Sequence, residues 1–585
     1  MTDGITQPTP PLRELARLLP ALRPHGRGLA ATLLVCVLNQ AALVALGTAA
    51  AWLVGHALRA GFGELAPVLV LLAGLAIVRT GLTWAEMTIS HDLAYRLLAE
   101  LRVRCFDGLA RIAPARLLGR RSGDLAAAAL ADVEALEFFY AHAVAQVVAS
   151  VLVLAGGLAA LALLDPLLAF AVTPFAALVA SVPWWRQRAA AEQGWRVRAA
   201  AAALSADVVD TVQGIRELSV FRAFGRRRAL LRARNQELAA AQRGEAARAS
   251  GEAAVTDTLV ALALVAVLLV AGLLARDGRI ATAWTPAVVA LAFGVLAPVA
   301  DSAVQLRNTG TLRAAAQRVF ALVDAPAAVP APQVPRPLGP GPYAVCFEDV
   351  WFRYAPDGPD VLRGVTLRIE PGETVALVGP SGAGKTTCAS LLLRFWDPTA
   401  GRVTLGGVDL RDLADADLRR AVAVVPQEAH LFHGTIDENI RLGRPGAAED
   451  EVAAAARTAL VTPFLAGLPD GLDTVVGERG VALSGGQRAR VAVARALLTR
   501  APVLILDEAA ANLDGESEEE LACALDRARA GRTTLVIAHR LSTIRRADRV
   551  VVLEAGRVVE QGAFAELVAR PDSRLAHLLA HQLGQ

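Results

Sequence analysis

This sequence is almost without lysine. Its 585 residues include 59 lysines and arginines, and Lys385 is the one lysine among them. Arginine serves wherever a positive charge is merely useful, so the exception marks a place that asks for a different shape. A compact ammonium on a flexible stem reaches phosphate oxygens across a tight turn, where a planar guanidinium is wider. Cysteine is scarce as well. Cys36, Cys105, Cys346, Cys388 and Cys523 are scattered, with no C-x-x-C pair and no metal-ligand spacing, which excludes a disulfide framework. Charged residues make up 20% and the formal net charge is +3, too small a surplus to indicate a nucleic-acid partner. Against these shortages stand 54% hydrophobic residues and a mean hydropathy of +0.43, more apolar than an ordinary soluble protein.

The apolar residues gather in the first half. Six runs, at about 29–57, 65–88, 138–164, 166–185, 254–275 and 283–304, are each long enough to cross a bilayer, which takes roughly 20 residues. The first is too long for a signal-peptide core and lacks a cleavage site. The third and fourth meet at Asp165-Pro166, a tight helical hairpin. Arginine orients them. The connection between spans two and three carries Arg96, Arg102, Arg104, Arg111, Arg116, Arg120 and Arg121, and that between four and five is denser still, including Arg226, Arg227 and Arg228. The remaining connections hold only Arg59, Arg276 and Arg279. Positive-inside reasoning places the N-terminus, both Arg-rich connections and the C-terminal half in the cytoplasm. Residues 90–112 and 187–248 are rich in Ala, Leu, Arg and Glu, which predicts that spans two to five continue as helices beyond the membrane. The turning points are expected at Pro114 to Gly123 and near Gly214 to Gly225.

Seven prolines between Pro326 and Pro342 read as a stiff linker. After it, short β-type runs alternate with helical ones, the pattern of an α/β domain. The expected organisation is a six-span α-helical membrane domain at 1–325, a linker at 326–343 and an α/β domain at 344–585.

Lys385 lies in the second domain. Val375-Ala376-Leu377-Val378 is a buried-strand run leading into Gly379-Pro380-Ser381-Gly382-Ala383-Gly384-Lys385-Thr386, with Thr387 next. This is a G-x-x-x-x-G-K-T phosphate loop, which makes the expected second domain an α/β P-loop ATPase domain. Its amides and the following helix N-terminus suit phosphate oxygens, and Thr386 is placed to hold Mg²⁺. Val503 to Leu506 is an apolar strand ending in Asp507-Glu508. Asp507 can take Mg²⁺ through water, and Glu508 can act as general base on the attacking water. Leu483-Ser484-Gly485-Gly486-Gln487 opens another helix, a second anion site. One nucleotide does not need two phosphate sites in one chain.

These motifs resemble the ATP-binding cassette (ABC) transporters of the exporter type, and the resemblance covers almost the whole chain. It implies ATP and Mg²⁺ as cofactors and a second half-transporter subunit, identical or different, as partner. In that family two cassettes pair head to tail, and each Ser484-Gly485-Gly486-Gln487-type signature caps the nucleotide on the other's phosphate loop. By the same resemblance Tyr354 looks like the aromatic that stacks on adenine, Gln427 like the Q-loop residue at Mg²⁺ and water, Leu513-Asp514 like the D-loop, and His539 like the switch histidine. Gly477-Glu478-Arg479-Gly480 looks like the segment typical of exporter cassettes. His430 and His433 read as plain loop residues. One departure stands out: Ala509-Ala510-Ala511-Asn512 precedes Leu513-Asp514 where the family often has Thr-Ser-Ala, so the D-loop is expected to couple the two sites unusually.

In the membrane half, polar groups within spans are costly and mark functional positions. Asn39, Gln40, Arg79, Glu86, Gln146, Asp257, Asp301 and Gln305 qualify. Arg79 and Glu86 share a helix face two turns apart. Arg79 is a candidate to attract an anionic or zwitterionic substrate, the alternative being an interhelical ion pair. Leu117 to Asp124 and Gly214 to Gly225 look like the two coupling helices that dock on cassettes. The segments Ser90-His91-Asp92, Arg121 to Leu125 and Asp132 to Leu136 are similar to thiol and amino-acid exporter subunits of the cytochrome-assembly type, and Phe138 to His142 also suggests siderophore-transport subunits. The expected function is therefore an ATP-driven exporter subunit in the cell membrane for a small thiol or amino-acid-like compound, with a siderophore importer or a lipid or multidrug exporter as the alternatives.

Overall fold

The computed structural model describes residues 16–57, 62–117, 125, 128–185, 187–306, 309–477, 483–507, 515–538 and 540–583. The chain divides into two compact units, Met1–Arg111 with Gly119–Ala325 and Ile112–Leu118 with Pro326–Gln585.

Among the described residues of the first unit, six helices are long and apolar enough to cross a membrane. In chain order they are Gly26–Ala57, Phe62–Ile112, Val144–Leu164, Pro166–Trp185, Phe224–Arg276 and Thr285–Leu306. The second and fifth run for 51 and 53 residues. At 1.5 Å per residue they are about 77 and 80 Å long, far more than a hydrocarbon core of about 30 Å, so both continue well beyond the bilayer. Helices at Gln187–Gln213 and Ile215–Val220 complete the fourth-to-fifth connection. The chain turns there from Gly214, the N-cap of the short helix, to Ala223, the N-cap of the fifth spanning helix. The other turning point begins after Ile112, and its residues 118–124 lie outside the described residues.

The third span departs from expectation. It is not a regular helix from residue 138. Two π-helical turns, Ala128–Asp132 and Phe139–Ala143, lead into it. Tertiary contacts hold this wider winding. Asp132 accepts a two-pronged bond from Arg318, at 2.6 and 2.5 Å, a geometry that fixes direction as well as charge. Tyr140 is buried and donates its hydroxyl to the Leu18 carbonyl at 3.3 Å.

Lipid tails are as apolar as leucine, so spans associate through close packing and interhelical hydrogen bonds. Gly157 in the third span shows the first: a Cβ there would stand 2.0 Å from Val295 Cγ2 of the sixth. Ser150 shows the second: its buried hydroxyl sits 2.8 Å from the Pro298 carbonyl and 2.6 Å from Ser302 Oγ. The fourth and fifth spans pack Leu168, Val172 and Ala176 against Ala263, Val267 and Ala271.

The second unit holds two sheets. One has the order β2-β1-β4-β5, with β1 Val345–Phe352, β2 Leu362–Ile369, β4 Ala400–Leu405 and β5 Val408–Asp409, all antiparallel. The other has the order β10-β9-β3-β8-β7-β6: β3 Thr374–Val378, β6 Val422–Val425, β7 Val503–Asp507, β8 Thr533–Ile537, β9 Arg549–Glu554 and β10 Arg557–Gly562. Strands β9, β3, β8, β7 and β6 are parallel. Every residue of β3 and β8 is buried, as a parallel sheet covered on both faces requires.

An ion pair buried outside the membrane gives a test of the packing. Arg248 and Glu252 are 6% and 8% exposed and 2.8 Å apart, and Arg248 Nε also donates to Gln193 at 2.8 Å. Glu252→Ala strands the guanidinium, which is expected to cost about 3–5 kcal/mol and to lower the thermal midpoint of the purified protein. Replacing both charges, in R248M/E252L, should recover most of the loss.

Candidate active site

Strand β3 delivers the phosphate loop. The helix that follows is Lys385–Leu392, and Gly384 caps it with φ +106°, a left-handed conformation that favours glycine. A Cβ there would also meet Leu362 Cδ2 at 2.5 Å. Lys385 is 5% exposed. Its ammonium reaches back across the turn and donates to the carbonyls of Gly379 at 2.7 Å and Pro380 at 3.0 Å. Ser381, Gly382 and Thr386 are exposed around it. The strand, the glycine turn and the helix N-terminus thus stand in the order an anion-binding loop requires. In the same helix Cys388 is fully buried, which pushes its thiol up to about 12, so it stays protonated and unreactive at neutral pH.

The sheet order gathers the other groups. Parallel β3, β8, β7 and β6 all end on one edge. Asp507 closes β7 opposite Ile537 of β8. Val425, the last residue of β6, pairs with Leu506, so Gln427 leaves the sheet beside Asp507. Glu508, Asp514, His539 and the segment Glu478 to Gly480 lie outside the described residues.

Tyr354 follows β1 and is 50% exposed. Its ring centroid is 4.8 Å from Phe352 and 5.2 Å from Trp396, both nearly perpendicular. Its hydroxyl lies 2.9 Å from Thr387 Oγ1. The aromatic is thereby tied to the phosphate-loop helix, and one face stays open. Sequence reasoning had not singled out Trp396. The available signal was the aromatic pair Phe395-Trp396 just past that helix.

Ser484 caps the helix Gly485–Leu498. Its Oγ accepts from the Gln487 amide at 3.3 Å, and Gln487 Oε1 accepts from the Ser484 amide at 2.9 Å. This reciprocal capping box commits a lone pair of Ser484 and the amide oxygen of Gln487 to their own helix. The serine O–H and the glutamine NH₂ remain donors toward an incoming anion. Gly485 is exposed and Gly486 buried.

The intramembrane polar residues converge from three spans. Asn39 Nδ2 donates to Glu86 Oε2 at 2.6 Å, and Thr83 Oγ1 donates to Asn39 Oδ1 at 3.1 Å. Gln40 donates to Gln146 at 3.4 Å. Glu86 takes its bond from Asn39 and not from Arg79. Arg79 Nε is shielded from solvent and meets no hydrogen-bond partner among the described residues. Among the described residues no cluster of three or more His, Cys, Asp or Glu could hold a metal ion.

Comparison with known proteins agrees with this geometry. Residues 28–287 match the ABC transporter transmembrane region, and residues 362–511 match the family described as ABC transporter. An ATP-dependent lipid A-core flippase of Nitrosococcus oceani is 34% identical over 569 residues, 95% of this chain and 93% of that protein. A flippase of the same name from Chromobacterium violaceum is 45% identical over 326 residues, 55% of each chain. The structure of a bacterial Atm1-family ABC exporter with ATP bound superimposes with a TM-score of 0.84 at 27% identity, covering 96% of this chain and 98% of that one. The chain belongs to the ABC transporters. Within them it is a half-transporter of the exporter fold, a multi-pass membrane protein with one cytoplasmic ATPase domain.

The bond between Tyr354 and Thr387 can be tested directly. Tyr354→Phe keeps the ring, leaves Thr387 in the phosphate loop and removes one neutral hydrogen bond, so the half-saturating ATP concentration is expected to rise about fivefold. Steady-state ATPase kinetics should show kcat little changed.

Proposed function

We propose that this chain is one half of a dimeric, ATP-driven exporter whose cargo is an amphiphile with a charged head group. The spans 1–325, the linker 326–343 and the cassette 344–585 are its working parts. One observation carries the cargo reading: Arg79, Asn39, Thr83 and Glu86 place charge and hydrogen-bonding capacity within otherwise apolar spans, where such groups are retained for function. The similarity to flippases along nearly the full chain supports a lipid-like cargo. The similarity of Asp132 to Leu136 and its neighbours to thiol exporters supports a second reading, a small thiol or amino-acid-like compound. The pairing of Asp132 with Arg318 weakens it, because an architectural bond accounts for that residue.

In the cassette, Tyr354 offers its open face to adenine. Gly379, Ser381, Gly382, Gly384, Thr386 and Thr387 line the phosphates, and Lys385 exchanges its two carbonyl partners for the β/γ-phosphates. Thr386, Gln427 and Asp507 supply hydroxyl, amide and carboxylate oxygens, a donor set suited to Mg²⁺. Bound there, the ion would neutralise phosphate charge. Glu508 polarises the attacking water and His539 meets the γ-phosphate. The donors at Ser484, Gly485, Gly486 and Gln487 face the nucleotide on the second subunit, and Asp514 belongs to the loop that couples the two sites. Since the chain carries one copy of each motif, two cassettes are needed for a complete site. ATP closes them and opens the bundle outward, and hydrolysis resets it.

The experiment is ATP hydrolysis by the purified chain in lipid nanodiscs beside Glu508→Gln, with lipids, thiols, glutathione, amino acids and siderophores added in turn, then transport of the stimulating compound in oriented vesicles. Activity should vanish in Glu508→Gln and rise with an amphiphile. Stimulation by a thiol alone would overturn the lipid reading, and well-folded but inactive protein would point to a different partner subunit. Arg79→Ala should weaken half-stimulation by an anionic or zwitterionic cargo about tenfold or more, the worth of a charged hydrogen bond. Unchanged affinity would remove Arg79 from the site.

A further inference from the structure

The fourth and fifth spans part at their outer ends around an apolar crevice of about 460 Å³. Phe170, Pro174 and Phe175 form one wall, and Ala266, Val270 and Leu273 the other. The volume is in the range of about 300–1,000 Å³ typical of small-molecule sites. The walls offer water no partners, so a filled crevice must hold hydrocarbon. Its mouth is of another character. Arg279 lines it and reaches Asp165 at 2.5 Å. Asp165 is 4% exposed and also accepts the Leu167 amide at 3.0 Å, so it holds the guanidinium in one direction. Arg279 itself is 51% exposed and keeps donors free of that carboxylate. Asp277 stands at the same mouth, 51% exposed and bonded to Arg276 at 3.0 Å. The connections on this side of the membrane hold only Arg59, Arg276 and Arg279, and two of the three meet here.

We propose that the crevice is a binding site for an outer-leaflet phospholipid with a zwitterionic phosphoethanolamine head group. One acyl chain lies between the fourth and fifth spans, the phosphate meets Arg279, and the ammonium meets Asp277. Two arginines and two aspartates at the mouth leave no excess charge, so a head group carrying both signs is matched and a purely anionic one is opposed by Asp277. The site uses none of Arg79, Asn39, Thr83 and Glu86, so it stands or falls apart from the transport reading.

Native mass spectrometry of the full-length protein, released from nanodiscs of mixed phosphatidylethanolamine and phosphatidylglycerol, tests this. The parent should retain phosphatidylethanolamine in preference. Val270→Trp fills the crevice and should reduce that retention about tenfold. Asp277→Asn lies at the exposed mouth, so the fold should survive it, and it should shift the preference toward phosphatidylglycerol about fivefold. Equal retention of both lipids by the parent, or an unchanged preference in Asp277→Asn, overturns the proposal. A disulfide formed between two copies of Leu273→Cys would do the same, since a second copy of the chain would then cover the crevice.

Discussion

Inside hydrocarbon a polar group has no water to turn to. The first consequence is backbone: a spanning segment must close its hydrogen bonds within itself, and helix does so. The second is side-chain pairing, which orders this bundle. Asn39 meets Glu86 and Thr83, Gln40 meets Gln146, and Ser150 meets Ser302. Each pair joins two different spans, so each fixes how one helix is rotated and raised against another. Close approach at Gly157 does the same where no polar group is involved. Arg79 Nε, Gln305 Oε1 and the hydroxyls of Thr48 and Thr285 are shielded from solvent and meet no hydrogen-bond partner among the described residues.

The ATPase unit rests on a different constraint. Its central parallel strands are buried on both faces, so chemistry can appear only where the strands end. The phosphate loop, Asp507 and Gln427 all leave the sheet at that edge. The chain's one ammonium is folded back onto Gly379 and Pro380 carbonyls, a neutral arrangement that phosphate oxygens, which carry full charge, would outcompete. Tyr354 is bound to the same helix through Thr387. The exposed Tyr354 ring and the phosphate loop therefore share one rigid element.

Much of this is legible in the sequence. The six spans lie where the apolar runs were. The second and fifth helices overrun the membrane as Ala-, Leu- and Arg-rich segments predicted, and the chain turns at Gly214. The phosphate loop sits between a buried strand and a helix. All of these depend on local pattern. The π-helical turns before the third span were not readable, because Arg318 on Asp132 and Leu18 under Tyr140 hold them from far along the chain. Trp396 beside Tyr354 was hidden for the same reason, and so was the choice of Glu86 to bond Asn39 over Arg79.

Sequence by itself therefore determined the class of machine: six membrane helices, a phosphate-binding ATPase with a single lysine at its centre, and a side of the membrane set by arginine. These follow from hydropathy, period and short motifs, which act over a few residues. Tertiary structure alone decided which intramembrane polar groups satisfy one another. It also decided that an apolar crevice opens beneath Arg279 and Asp277. Each of these depends on the distance between groups on separate helices or on the local backbone path, which packing sets and no local pattern encodes.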